Sequence, residues 1–159
     1  MDKFQGKPFS AALILATLLA GMARAETPAP ADLAQEEAFL DVLPKVVVPD
    51  DVQPIPGAVN EEFRNCEAQW PMGYKDAQSG PEARALRDVY SYVRARNVIA
   101  TSDCGCTGKV ANWDDVEAIA AALREGQKVD RLSWQHTKGI STEARKLIGV
   151  AETMCGGTF

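Results

Sequence analysis

The stretch Asp103-Cys104-Gly105-Cys106-Thr107 decides the fold, because it holds two of the chain's four cysteines, separated by one glycine. The other two, Cys66 and Cys155, lie far away on either side. A bond between neighbours this close is usually strained, since a disulfide needs a narrow range of Cα separations and Cβ directions. The intervening glycine lets the backbone twist, so that the two sulfurs diverge. We therefore predict that each bonds one distant cysteine, and the spacing leaves both cross-pairings open.

Two helices are predicted before this junction. The first runs from Asn60 to Pro71, and its apolar face consists of Val59, Phe63, Cys66 and Trp70. The second opens at Ser79-Gly80-Pro81-Glu82, which has the early proline and the Ser-x-x-Glu spacing of a capping box. Its core stripe consists of Leu86, Val89, Tyr90 and Val93. Charged helix residues usually face solvent, and this is largely expected of the four arginines Arg84, Arg87, Arg94 and Arg96. The alternative is a local basic patch for a carboxylate or an acidic partner. Residues 97–109 are expected to form turns.

Two further helices are predicted after the junction. Asn112 caps the third, which ends at Gly126, and Ser141 or Thr142 starts the fourth, which ends at Gly156. Their stripes contain Trp113, Val116, Ile119, Ala120 and Leu123 in the third, and Ala144, Leu147, Ile148, Ala151 and Cys155 in the fourth. No alternating strand pattern exceeds four residues. The predicted fold class is all-α, with about four short helices in a compact disulfide-stapled domain and an extended Pro-rich N-terminal arm.

The N-terminal part of the chain predicts an exported protein. Residues 1–25 combine basic residues, the apolar run of residues 9–21 and a final Ala23-Arg24-Ala25, the pattern of a signal peptide cleaved after Ala25. Residues 26–58 form a Pro-rich, partly disordered arm, and residues 59–159 form the helical, disulfide-stabilised domain. The predicted location is the periplasm or the external medium, where an even number of cysteines in a small chain typically forms disulfides.

The charge of the mature chain narrows the class of partner. Removing Lys3, Lys7, Arg24 and Asp2 with the leader leaves 14 basic and 21 acidic residues, a net charge of −7. Phosphate neutralisation needs clustered Lys and Arg, so nucleic acid is not predicted as a partner. An anionic membrane surface is equally unsuited, and no stable membrane anchor is predicted.

No sequence motif specifies a reaction. His136 is the only histidine, and no G-x-S-x-G, H-E-x-x-H or C-x-x-C-H motif occurs. We therefore predict no catalytic residue, no cofactor and no metal site. Two alternatives stay open: a small secreted hydrolase that uses carboxylates or His136, and a protein that handles a metal or redox equivalents through Cys104-Gly105-Cys106.

The leading functional prediction is a non-enzymatic accessory domain that binds another envelope or secreted protein. A subunit of a bacterial envelope or secretion assembly fits this size and location. The candidate contact residues are Trp134, His136 and Tyr74, together with the arm, because exposed aromatic side chains often anchor protein interfaces. The oligomeric state stays open.

Overall fold

The computed structural model describes residues 42–68, 80 and 82–159, and within them it contains helices and no strand. A 3-10 turn (Phe63–Asn65) precedes four α-helices: α1 (Ala83–Thr101), α2 (Cys106–Lys109), α3 (Trp113–Gln127) and α4 (Lys138–Cys155). Helix α1 is central and packs against α4, α3 and the single turn of α2. The prediction of an all-α fold is confirmed. No helix among the described residues combines the length and hydropathy that a membrane span requires.

Helix α1 is longer than predicted and more completely buried. The predicted stripe is buried throughout, and the helix continues to Thr101 because Val98 and Ile99 are also buried. It ends at Ser102, which adopts a left-handed conformation with φ of 56°. The predicted capping box is wrong at Glu82: this residue is itself the N-cap and its side chain makes no capping bond. Its carboxylate instead reaches the end of α3, as described below. Ser79 and Pro81 lie outside the described residues.

The ends of α3 and α4 are partly as predicted. Asn112 caps α3 by accepting a hydrogen bond from the Asp114 N–H at 3.0 Å. Gly126 does not end α3; the helix passes through it and stops where Lys128 turns left-handed with φ of 54°. Helix α4 begins at Lys138, three residues before Ser141. Gly156 ends it, with φ of 72°, a conformation that suits glycine.

The predicted helix from Asn60 to Pro71 is wrong over its described residues, where only the 3-10 turn Phe63–Asn65 is helical. The polar groups of this segment bind the junction instead. The Glu61 N–H donates to the Cys104 carbonyl at 3.2 Å, and the Glu61 carboxylate accepts from the Cys106 N–H at 2.6 Å. Because these tertiary bonds replace the hydrogen bonds of a helix, the segment stays extended before the turn. Residues 69–71 lie outside the described part of the chain.

The two disulfides realise one of the cross-pairings that the sequence left open. Cys66 is bonded to Cys106 with a Cα–Cα distance of 5.3 Å, and Cys104 to Cys155 with a distance of 5.5 Å. The junction turns tightly between them, and a Cβ atom at Gly108 would overlap the Asp103 carbonyl oxygen. Only glycine therefore permits this close approach of α2 to the end of the preceding loop.

The described part of the arm, residues 42–58, is extended and lies on the helices. Leu43 is buried, and the Tyr92 hydroxyl donates to the Pro44 carbonyl at 2.8 Å. Further along, the Ile55 N–H donates to the Met154 carbonyl at 2.8 Å. The arm thus contacts α1 and α4 of its own chain, while Val47 remains 90% exposed. The leader and the first part of the arm, residues 1–41, lie outside the described residues.

Candidate interaction surface

Trp134 is the most exposed aromatic side chain among the described residues, with 48% of its surface accessible. It lies in the loop that joins α3 to α4. The Arg84 guanidinium, on the first turn of α1, lies 5.5 Å from the centre of its ring. A cation over an indole face is attracted by the ring quadrupole, which restricts both side chains. The exposed indole is thus held in a fixed orientation beside a positive charge.

The loop that carries Trp134 is anchored from three sides. Leu132 is buried, and its N–H donates to the Glu82 carboxylate at 2.8 Å. The buried Thr137 donates its hydroxyl proton to Asp88 on α1 at 2.7 Å. Gln127, at the end of α3, donates to the His136 carbonyl at 3.3 Å. Because both ends of the loop are tied to α1 and α3, Trp134 is presented by a rigid scaffold.

Electrostatics reinforce this anchoring. Glu82 accepts from Arg124 as well as from Leu132, and Arg124 also pairs with Glu117 at 2.6 Å. Burial would raise the pKa of Glu82, but the hydrogen bonds from Arg124 and the Leu132 N–H outweigh burial and hold the pKa below its usual value. The same bond to Glu82 raises the pKa of Arg124. Glu82 is therefore ionised and shared between α3 and the loop.

His136 shapes the same loop. The ring Nδ1 atom of His136 accepts a hydrogen bond from the Ser133 backbone N–H at 2.9 Å and lies 3.3 Å from the Ser133 hydroxyl oxygen. The backbone N–H of His136 donates to the Ser133 carbonyl. A general base must have its acceptor nitrogen available for the nucleophile's proton. Here a backbone N–H already occupies that nitrogen at the shorter distance. The arrangement closes a turn of the loop that carries Trp134 and engages the Nδ1 atom of His136.

The surroundings of Trp134 are positively charged. We define the Trp134 surface as residues 83–88 and 128–138. Its exposed ionisable residues are the cations Arg84, Arg87, Lys128, Arg131 and Lys138 and one anion, Asp130. The chain as a whole is acidic, with 22 acidic and 17 basic residues. The Trp134 surface therefore departs from the overall charge, and its sign favours acidic groups.

The structure brings two of the three predicted contact residues together. Trp134 and His136 belong to one turn of the loop, with the indole exposed and the imidazole half-buried. Tyr74 lies outside the described residues. The described arm, predicted as a second contact surface, lies against Tyr92 and Met154. The sequence did not predict that Arg84 lies beside Trp134, because this proximity arises from packing between residues that are distant in sequence.

Two buried cations were missed by the sequence reasoning. The prediction that Arg94 faces solvent is wrong: the residue is 8% exposed, and its guanidinium carbon lies 3.7 Å from the ring centre of Phe63 and 4.1 Å from that of Phe159. Burial lowers the pKa of Arg94 to about 10, so it stays charged at neutral pH. Lys109 is fully buried, and its ammonium donates to the Asn60 side chain and to the Glu61 carbonyl. These two cations hold the segment before the 3-10 turn against α1 and α2.

The cysteines are all engaged in bonds, so no thiol is free. A soft metal would bind thiolates, which exist here only after reduction, whereas a redox partner's thiolate could attack a disulfide directly. No group of three or more His, Cys, Asp or Glu side chains among the described residues is arranged to hold a metal ion. The metal-handling alternative thus requires a reduced form of Cys104-Gly105-Cys106 that differs from this structure, and in this structure these two cysteines are bonded to Cys155 and Cys66 and not to each other.

Comparison of the chain with protein-family models, with curated proteins and with solved structures finds no match. The functional conclusion therefore depends on the geometry of the Trp134 surface.

Proposed function

We propose that this chain is an exported, non-enzymatic accessory domain whose Trp134 surface binds an acidic segment of another envelope or secreted protein. The observation that carries the proposal is the half-exposed indole of Trp134, fixed beneath the Arg84 guanidinium on an anchored loop. Trp and Arg are the residues most enriched among those that dominate protein-interface energies. A rigid anchor also loses little conformational entropy on binding.

The proposal of export combines the leader with the disulfides. Residues 1–25 have the pattern of a signal peptide cleaved after Ala25. Two disulfides fit a compartment that is oxidising, since thiols in the cytosol are kept reduced. The periplasm and the external medium both meet this requirement, so the partner is sought among envelope and secreted proteins.

The acidic nature of the partner follows from charge complementarity. Five exposed cations and one exposed anion occupy the Trp134 surface. Such a surface attracts a segment with clustered carboxylates and repels a basic one, mainly by changing the association rate. These cations are exposed, so water still screens them, and added salt is expected to slow association.

Photo-crosslinking in the producing cell tests this proposal. A photoreactive phenylalanine analogue replaces Trp134 in one variant and Lys146, an exposed residue of α4, in a matched control. The expected result is a crosslinked protein that depends on the first position, with the attachment point in an acidic segment. No position-specific crosslink, or attachment to a basic segment, would contradict the proposal.

Binding of the identified partner provides the quantitative test. Trp134→Ala is expected to weaken binding by about thirtyfold, the effect of losing about 2 kcal/mol at an interface anchor. Arg145→Gln, which removes an exposed cation from α4, serves as the matched control and should leave binding unchanged. Equal affinities of the Trp134→Ala variant and the unmodified protein, with both folded by circular dichroism, would refute the assignment of the indole as the anchor.

A further inference from the structure

We infer that a hollow between the arm and α1 is a binding site for a small aliphatic carboxylate. The hollow lies where residues 45–47 of the arm pass beside residues 96–100 of α1, and its volume is about 440 Å³. Pockets for small ligands typically measure about 300–1,000 Å³. The site is separate from the Trp134 surface, so either assignment can fail without the other.

The charge of the lining selects an anion. Among the described residues that line the hollow, the ionisable side chains are Lys45 and Arg96, and both are cations. Arg96 donates to the side-chain oxygen of Asn97 at 3.0 Å. That bond engages the amide oxygen of Asn97 and leaves its NH₂ group as a donor. Arg96 and Asn97 thus supply N–H donors at the hollow, and none of the described lining residues is a carboxylate.

The backbone of the arm adds to these donors. In the part of the chain that the structure describes, Val46 and Val47 make no backbone–backbone hydrogen bond. Val47 is 90% exposed, which leaves the hollow open to solvent on the side of the arm. A carboxylate can accept hydrogen bonds on both oxygens, so it can use a guanidinium, an amide and a backbone N–H together.

The apolar part of the lining selects an aliphatic body. The side chains of Val46, Val47 and Ile99 are branched and aliphatic, and none of the described residues that line the hollow is aromatic. These side chains offer a planar base or ring no stacking partner, whereas a short branched aliphatic chain can pack against them. Hydrophobic contact with these three residues and charge pairing with Arg96 together favour a branched carboxylate.

A neighbouring hollow of about 290 Å³ is less suited to an anion. It shares Lys45 and Val46 with the first hollow, but Glu143 of α4 contributes to its lining. The negative charge of Glu143 opposes a carboxylate. The hollow beside Arg96 is therefore the one that accepts an anion.

Titration of the ¹⁵N-labelled protein followed by NMR tests the inference. The probes are 3-methylbutanoate and its uncharged analogue 3-methylbutanol, which share the same branched body. We expect the acid to shift the amide signals of Val46, Val47 and Asn97 with a millimolar dissociation constant, the range of a ligand this small. The alcohol should bind at least about tenfold more weakly, because it lacks charge-assisted hydrogen bonds.

A matched pair of variants locates the charge. Arg96→Gln should weaken binding of 3-methylbutanoate about tenfold. Arg145→Gln should not, because Arg145 is an exposed cation of α4 that belongs neither to the lining of the hollow nor to the Trp134 surface. Equal binding of acid and alcohol, unchanged affinity in Arg96→Gln, or no shift around the hollow would each overturn the inference.

The source of the carboxylate is distinguished by a further pair of probes. Acetyl-Ala-Ala-Val with a free C-terminal carboxylate is compared with the same peptide as its C-terminal amide. Tighter binding of the free-acid peptide than of 3-methylbutanoate would indicate that the site takes a peptide end. Weaker binding would indicate a free small acid, and in both cases the amide should bind poorly.

Discussion

Removing the Cys66–Cys106 bond should destabilise the domain without unfolding it. In the chain-entropy model a disulfide acts on the unfolded state, and the cost of its loss grows with the length of the closed loop. The bonded residues are 40 positions apart, which corresponds to about 4 kcal/mol. Domains of this size have a total stability of about 5–15 kcal/mol. The variant Cys66→Ala/Cys106→Ala should therefore melt about 15 °C lower, at about 4 °C per kcal/mol for a domain of roughly 100 residues.

The Cys104–Cys155 bond provides the comparison. Its residues are 51 positions apart, so the entropic cost is nearly the same. Both residues, however, are buried, whereas Cys66 and Cys106 are half-buried. Cys104→Ala/Cys155→Ala should lose about 1–2 kcal/mol more, because it also leaves space in the core.

Urea unfolding at fixed temperature and calorimetry measure both variants. The slope of the unfolding free energy against urea should increase in each, since an unfolded chain without the crosslink exposes more surface. Graded reduction followed by alkylation and mass spectrometry should show the Cys66–Cys106 bond opening first, because its sulfurs are more accessible. A melting shift under about 5 °C in the first variant, with an unchanged urea slope, would refute the entropic reasoning.

Two further predictions concern charged residues. Glu82→Gln should cost about 1–2 kcal/mol at pH 7, because it weakens charged hydrogen bonds from Arg124 and Leu132. The pKa of Glu82 is lowered by folding, so its stabilisation is complete above about pH 4.5 and is lost as the pH falls through the lower folded value. Urea unfolding should therefore find that the difference between the two proteins shrinks steadily as the pH is lowered below about 4.5. Arg94→Lys should be at least about 1 kcal/mol less stable than Arg94→Met, because a strongly hydrated ammonium cannot stack between Phe63 and Phe159. Equal melting temperatures of the two Arg94 variants would contradict this.

The sequence predicts the three long helices because their patterns are local. Apolar residues recur every three to four positions in each, and the Asn112 cap needs only the two residues that follow it. The helix ends were harder to predict. Lys128 adopts a left-handed conformation that glycine adopts more readily, so Gly126, two residues earlier, misdirected the assignment of the end of α3.

The predicted first helix fails for a different reason. Phe63 and Cys66 recur with helical spacing, but their partners are distant in sequence: Phe63 contacts Arg94, and Cys66 bonds Cys106. Two apolar residues with helical spacing can therefore both make tertiary contacts even when the segment that carries them is not a helix. Similarly, the sequence offered Trp134 as a candidate contact residue but did not predict its proximity to Arg84, because that pair forms only when α1 packs beside the loop.

The disulfide Cys66–Cys106 and the two buried cations hold the same segment in place by different means. Lys109 binds Asn60 and the Glu61 carbonyl, while Arg94 stacks on Phe63 a few residues later. These noncovalent contacts exist only in the folded state, whereas the covalent bond restricts the unfolded state. Loss of the disulfide should therefore lower the melting temperature and leave the segment in its native position. Loss of the Lys109 contacts should release the segment locally while the sulfur bond still limits how far it can move.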